Sequence, residues 1–358
     1  MTPLRAGVIG LGVGKSHAEG YRLSPHSTLA AFCDTNEERL REFAQKYDVP
    51  PEACYTDYHT MLANANLDIV SVCLPNALHA PASIAALEAG VHVLCEKPLA
   101  TNTAEAQAMI DAARRSGKHL LVCYNYRFRA DSQWLYNMIH KGALGTIYHI
   151  YASWRRETGI PGWGLFGDKA MSGGGALIDL GVHVLDLALW LMDFPAVKTV
   201  SGEVRTVFAP QKRKMWRQPN VEPAAFEVED GAVGFLRLAN GANMFLQATW
   251  GEHTLPNEDR IRVEVQGSEG TAILDIANYR REETLRLYTE SEGEPVVISP
   301  VVRWTAPAYS HVGLVLDTVE KIANGETPTT DGTQGLVDVQ VLDAMYASAQ
   351  AGREVFLD

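Results

Sequence analysis

The chain has 358 residues, 46% of them apolar and 21% charged, with 17 Pro and 30 Gly. At roughly 150 residues per domain this length suggests two domains, and the composition excludes a disordered or fibrous chain. A net charge of −12 speaks against nucleic acid or an anionic membrane as partner, because phosphate groups are bound by clustered Lys and Arg.

The first 123 residues alternate short apolar runs with longer amphipathic ones, the pattern of a parallel sheet with crossover helices. Strands are predicted over 5–9, 28–33, 68–74, 91–95 and 119–123, and helices over 16–23, 36–47, 77–89 and 103–116. Gly90 and Gly117 follow two of these helices, where glycine takes the left-handed conformation at little steric cost. This half reads as a doubly wound α/β domain, residues 1–123.

Beyond it the texture changes. A helix over 132–140 and a strand over 146–154 precede an apolar helix at 176–192, a run of strands, and helices at 311–324 and 333–351. Asp230-Gly231 and Asn240-Gly241 read as two-residue hairpin turns, and 243–250 alternates with the period of two of a half-buried strand. Residues 124–358 are therefore expected to form an α+β domain with a mainly antiparallel open sheet. The basic run Lys212, Arg213, Lys214 and Arg217 reads as a solvated loop. Five widely spaced cysteines match neither a metal knuckle nor a disulfide framework, and no metal site is expected. With no leader before the first apolar run and no uncharged apolar stretch of bilayer length, the expected location is the cytoplasm.

The first chemical signal is GVIGLGVGKSH, residues 7–17, between the first strand and the first helix. Gly10 and Gly12 fit the start of a G-x-G-x-x-G loop, where missing side chains allow a tight turn and let backbone N–H groups approach a pyrophosphate. Lys15 occupies the third glycine position, with Gly14 one place earlier. The loop residues expected to meet the cofactor are Gly10, Gly12, Val13 and Gly14. Asp34, 24 residues after Gly10, is placed to accept hydrogen bonds from ribose hydroxyls and to repel a 2′-phosphate, which favours NAD with NADP as the alternative; it is equally placed to cap the next helix.

The second signal is Lys97 at the end of the 91–95 strand, with Pro98 restricting its backbone. The third is the apolar helix after Gly173, Gly174 and Gly175, whose ionisable residues Asp179, His183 and Asp186 are costly to bury and share one face. The three glycines either admit a ligand to the backbone or form a hinge.

Taken together these motifs resemble the glucose-fructose oxidoreductase, inositol dehydrogenase and rhizopine-catabolism (Gfo/Idh/MocA) family. The resemblance runs through the nucleotide loop, Cys33-Asp34, Leu74-Pro75-Asn76 with His79, Glu96-Lys97-Pro98, the segment Tyr124 to Phe128, and Gly173 to Asp186. It implies a Rossmann domain followed by an α/β domain whose open sheet makes homodimers or homotetramers, and NAD(P)-dependent oxidation or reduction at a secondary alcohol of a sugar, inositol or polyol. It further implies that Lys97, Asp179 and His183 are the catalytic group, that Leu74, Pro75, Asn76, His79 and Glu96 lie at the cofactor, and that Arg127 joins the substrate site, with Tyr124 and Trp163 as pocket candidates beside it. Either His183 or Lys97 can serve as the base. Arg155, Arg156, His253, Tyr309 and His311 are further pocket candidates, and an arginine in the pocket would suit an acidic sugar. The competing readings are a redox-neutral NAD-using glycoside hydrolase or lyase and a non-catalytic nucleotide-binding sensor.

Overall fold

The computed structural model describes residues 2–162, 164–216, 226–304 and 310–357. They divide into two compact units.

In the first unit the elements run β1 (Leu4–Ile9), α1 (Gly14–Leu23), β2 (Ser27–Cys33), α2 (Glu37–Tyr47), β3 (Cys54–Tyr55), α3 (Tyr58–Asn64), β4 (Ile69–Val72), α4 (His79–Glu88), β5 (His92–Cys95), α5 (Thr103–Ser116) and β6 (Leu120–Val122). The strands form one parallel sheet in the order β3-β2-β1-β4-β5-β6. The order reverses between β1 and β4, and ligands of doubly wound sheets bind beyond the strand carboxyl ends at that switch. Gly90 and Gly117 have φ of 82° and 66°, as expected behind their helices. Two elements escape the sequence pattern. β3 is only two residues long and α3 seven, too short for a period to register.

The second unit contains α6 (Ala130–His140), β7 (Ile147–Arg156), β8 (Ile160–Pro161), α7 (Lys169–Ser172), α8 (Val182–Trp190), β9 (Val197–Arg205), β10 (Met215–Trp216), β11 (Gly231–Leu238), β12 (Asn243–Thr249), β13 (Asp259–Gly267), β14 (Gly270–Ala277), β15 (Leu285–Ser291) and β16 (Glu294–Ile298). The predicted helix over 176–192 is divided: a π-helical turn, Leu177–Gly181, leads into α8. The run 169–190 is long and apolar enough to cross a bilayer, yet 89% of its most apolar window is buried inside the protein, so it is a core helix.

Of the two predicted hairpin turns, one exists. Leu238 N–H bonds Ala242 O across Ala239-Asn240-Gly241, and only Gly241 has positive φ. The link is a three-residue loop with its glycine in the left-handed position, not the two-residue turn expected. Asp230-Gly231 is no turn at all. Gly231 opens β11, pairing with both β9 and β12, and a Cβ there would stand 2.8 Å from the Arg205 guanidinium. The Asp230 carboxylate is fully buried and accepts from the N–H groups of Val207, Phe208 and Ala209.

The chain closes with α9 (Ser310–Asn324), α10 (Gly332–Ala351) and β17 (Val355–Phe356). β17 completes a nine-stranded sheet, β16-β15-β14-β13-β7-β12-β11-β9-β17, in which every neighbouring pair is antiparallel except β7 with β12. α9 corrects the linear division after residue 123. Residues 310–337 belong to the first unit with everything up to 128, and 129–304 with 338–357 make the second. The cause is the apolar face of α9: Leu314, Val315 and Val319 lie in one core with Ala18 and Tyr21 of α1. Gly20 of α1 makes the approach possible, since a Cβ there would meet Val315 at 2.5 Å.

Candidate active site

The candidate functional side chains fall into two groups, one in each unit. In the first unit, β1 ends in the glycine loop. Gly10 has φ of 86°, and a Cβ on it would lie 2.3 Å from the carbonyl oxygen of Cys73. Glycine is therefore required there for both conformation and space. Gly12 faces open space, whereas a Cβ on Gly14 would strike Val8 at 2.7 Å. Gly14 thus does the close helix–strand packing of a third glycine, which is why Lys15 is tolerated at the formal motif position. Val13 is exposed, and the first turn of α1 carries neither an acidic residue nor a side-chain cap. The positive end of the helix is left to an outside anion.

Asp34 at the end of β2 is buried, and its carboxylate accepts from Leu11 N–H at 2.8 Å and Asn36 N–H at 2.9 Å, with Arg39 Nη1 at 3.1 Å. It ties the glycine loop to the β2 end. The cap of α2 is Asn36, which accepts from Arg39 N–H, so capping does not account for Asp34. These residues fit a dinucleotide: a loop that only glycine can make, a helix terminus without its own anion, and a fixed carboxylate at the ribose position.

Leu74 and Pro75 leave β4 toward a short 3-10 turn, Asn76–Leu78. His79 is fully buried, its Nδ1 2.7 Å from Pro98 O and its Nε2 2.9 Å from Leu74 O. Burial lowers its pKa, and the neutral ring has one N–H to donate to these two carbonyls. The His79 ring thus stands between the loop after β4 and the turn after β5, facing a carbonyl of each. The Lys97–Pro98 peptide in that turn is cis. Tyr124 and Arg127, expected at the substrate, are also deeply buried; the Arg127 guanidinium lies over the Tyr124 ring and donates to Gln334 at 2.7 Å, anchoring the segment after β6 to α10.

Glu96, just before Lys97, is buried with Oε1 2.8 Å from His17 Nε2 and 3.7 Å from His311 Nε2. Burial alone would raise its pKa, but the hydrogen bond from His17 and the nearby His311 and Lys97 outweigh it and hold the carboxyl well below the usual carboxylate range. His311, a pocket candidate by sequence, is itself buried beside Glu96, and burial lowers its pKa.

In the second unit the three glycines answer to protein rather than ligand. Gly173 ends α7 with φ of 80°; a Cβ on Gly174 would lie 2.0 Å from Tyr346 Oη, and one on Gly175 would lie 1.9 Å from Glu229 O. Glu229, which sequence reasoning passed over, accepts from Gly175 N–H and Leu177 N–H at 2.9 Å and from Tyr346 Oη at 3.0 Å. A distant carboxylate thus caps the π-turn that carries Asp179. Burial pushes the Glu229 pKa up, partly offset by those donors.

Asp179 Oδ2 accepts from Trp250 Nε1 at 2.9 Å, and Trp250 is fully buried at the end of β12. His183, in the first turn of α8, is buried with its ring centroid 5.4 Å from that of Trp154. Trp154 donates to Asp259 at 2.7 Å. Arg156 donates to Asp259 at 2.9 Å and to Tyr279 Oη at 2.9 Å, with its guanidinium over the rings of Trp154 and Trp216. Burial lowers the Arg156 pKa, but Tyr279, Asp259 and Asp179 more than reverse this, leaving it raised. Arg155 is paired with Glu252. Both arginines are engaged by carboxylates of their own unit. His253 stands edge-on to Phe208. Trp163 and Tyr309 lie outside the described residues.

Residues 4–124 match the family described as "Oxidoreductase family, NAD-binding Rossmann fold", and 132–273 match the "GFO/IDH/MocA C-terminal domain". The chain belongs to the Gfo/Idh/MocA oxidoreductases. It is 33% identical over 358 residues to a D-glucoside 3-dehydrogenase of Escherichia coli (strain K12), covering 99% of this chain and 98% of that one. A myo-inositol 2-dehydrogenase of Thermotoga maritima is 29% identical, covering 99% of each. Among solved structures, a levoglucosan dehydrogenase in complex with NADH superposes with a TM-score of 0.84 at 25% identity over the whole of both chains.

Proposed function

We infer that this protein is an NAD-dependent dehydrogenase acting on a secondary alcohol of a neutral sugar, glycoside, inositol or related polyol. The observation that carries the reading is Lys97 immediately beyond β5, in the same parallel sheet as a loop that only glycine can make and a fixed Asp34 carboxylate. The neutral substrate class rests on the engagement of Arg155 and Arg156 within their own unit, and glycosides come first because of the full-length likeness to a D-glucoside 3-dehydrogenase.

The glycine loop, the start of α1 and Asp34 would hold NAD, which supplies the acceptor for a hydride. As the carbinol C–H bond breaks with its electron pair, the O–H bond must break too, or positive charge accumulates on oxygen as C=O forms. In this reading His183 takes that proton. Asp179, one oxygen of which is fixed by Trp250, supports the charge that builds on the imidazole. The Lys97 ammonium donates to the reacting oxygen and stabilises the negative charge left there as the proton departs ahead of the hydride. The five cysteines are all free, which suits a reducing, cytoplasmic compartment. A homodimer or homotetramer through the open sheet completes the reading.

The test is a panel of glycosides, aldoses, inositols, polyols and sugar acids with NAD and NADP, followed by reduced-cofactor absorbance. Net NADH formation separates a dehydrogenase from a redox-neutral enzyme or a sensor. Lys97→Met and His183→Ala should each lower kcat by about 10²- to 10⁴-fold while NADH binding persists. Full activity in both variants overturns the assignment.

A further inference from the structure

Around Glu96 the first unit is built of apolar strands; Val72, Leu94 and Cys95 beside it are fully buried. Through this core runs a line of polar groups. Tyr21 Oη lies 2.8 Å from Ser71 Oγ, Ser71 Oγ 2.8 Å from His17 Nδ1, and His17 Nε2 2.8 Å from Glu96 Oε1. One donor order satisfies all three contacts: Tyr21 O–H to Ser71, Ser71 O–H to His17 Nδ1, and His17 Nε2–H to the carboxylate. At its far end Glu96 Oε2 accepts from the backbone N–H of Lys97 at 3.3 Å. Tyr21, Ser71 and His17 are completely buried.

Burying such a chain costs more than filling the same volume with apolar side chains, so stability does not explain it. Nor is it half of a metal centre. Cys123 Sγ lies 3.6 Å from His17 Nε2, so His17, Glu96 and Cys123 gather their donor atoms within 4.8 Å. Two ligands on one tetrahedral zinc stand roughly 3.3 Å apart, given bonds of about 2.0 Å. The 2.8 Å His17–Glu96 contact is a hydrogen bond.

We propose that the His17–Glu96 pair is a positioning device for Lys97, fixing its backbone and through it the place of the ammonium in the reaction. The proposal rests on the reading of Lys97 as the donor to the reacting oxygen. Glu96 is reached from α1 by His17 and from α9 by His311, so the device draws on two helices and the strand end at once. α1 is also the helix that opens on the glycine loop. The lysine's position is thereby tied to the element that addresses the cofactor's phosphates.

Glu96→Gln and His17→Gln, singly and together, test the role on the substrate that gives the strongest wild-type NADH signal. Titration with NADH counts binding-competent sites, so that a loss of folded protein does not pass for a loss of chemistry. The expected result is a fall in kcat per site of up to about 10²-fold. A larger primary deuterium isotope effect on substrate labelled at the reacting carbon should accompany it, with NADH affinity near that of wild type. The double variant should lose no more than the worse single one, because both changes break one device. If Glu96→Gln binds no NADH, His17→Gln carries the test alone. An unchanged kcat per site and an unchanged isotope effect in the variants overturn the positioning role while leaving the dehydrogenase reading intact. Absence of NADH formation by the wild-type enzyme on every substrate overturns both.

Discussion

Asp34 and Arg39 form a pair whose two members have opposite preferences for the cofactor. The carboxylate, held by Leu11 and Asn36 N–H groups, repels a 2′-phosphate, while the guanidinium 3.1 Å away would attract one. Asp34→Ser should therefore lower kcat/KM for NAD and raise the NADP/NAD ratio, because Arg39 is released; paired kinetics with both cofactors check this, and an unchanged ratio would reduce Asp34 to a brace for the loop. Glu96 gives a second prediction at this scale. The groups facing it are His17 from α1, His311 from α9, His79 from α4, Lys97 beside it, and the Cys73, Cys95 and Cys123 thiols. Its folded pKa lies below its unfolded one, so its contribution to stability is complete above the ordinary carboxyl value of about 4.3 and is lost as pH falls below it. The melting temperature of Glu96→Gln should thus trail wild type most at neutral pH, and the gap should narrow in acid. Motif spacing makes Asp34 and Lys97 visible in the sequence. His17 stands in plain view within the glycine-loop segment, but its partner Glu96 is 79 residues away, and no local pattern joins them.

The element that the sequence describes least well is the one bearing Asp179. Apolar periodicity predicts one continuous helix over 176–192, and the glycines before it suggest a ligand or a hinge. In the structure Glu229 and Tyr346 occupy the space that Gly174 and Gly175 leave, and the turn over Leu177–Gly181 is π-helical. Widened turns of this kind recur at functional sites because they re-aim side chains within a helix. Gly175→Ala should destabilise the fold by on the order of 3 kcal/mol or more, since its Cβ would press on the Glu229 backbone. Thermal or urea unfolding measures this, and a neutral effect would show that the segment yields easily. Similarly, Asp230-Gly231 has the composition of a hairpin turn, yet the carboxylate is buried under three backbone donors and the glycine makes room for Arg205. A dipeptide carries a turn preference; tertiary contacts 21 to 25 residues away overrule it.

At the scale of the whole molecule, the open sheet has two unlike faces. Leu236, Met244, Leu246, Ala152 and Val263 point into the core, while Val233, Phe235, Phe245 and Tyr151 alternate with them on the other face. Tyr151 and Phe245 stack there with centroids 5.5 Å apart, and Val233 is 38% exposed. Apolar rows of this kind often meet another protein surface, and in the proposed function a second copy of the chain covers this one. Val233→Lys combined with Phe235→Lys should shift the protein toward monomer in light scattering behind size exclusion, with the far-ultraviolet dichroism unchanged. A wild-type protein that is already monomeric would remove the oligomer from the reading.

What the sequence determined by itself is what depends on short-range periodicity and on fixed spacing: the parallel βα half, the glycine loop with Asp34, Lys97 after its strand, and the apolar helix with its Asp and His. These signals are local because helix and strand periods, and loops that only glycine can form, act within a few residues. Only the tertiary structure decided the rest. It sent α9 back to the first unit, gave Gly174 and Gly175 to Tyr346 and Glu229, engaged Arg155 and Arg156 with carboxylates, and ran a hydrogen-bonded line from Tyr21 to Lys97. Each of these is a match of volume or of donor to acceptor between residues far apart in the chain, and such matches exist only once the elements have packed.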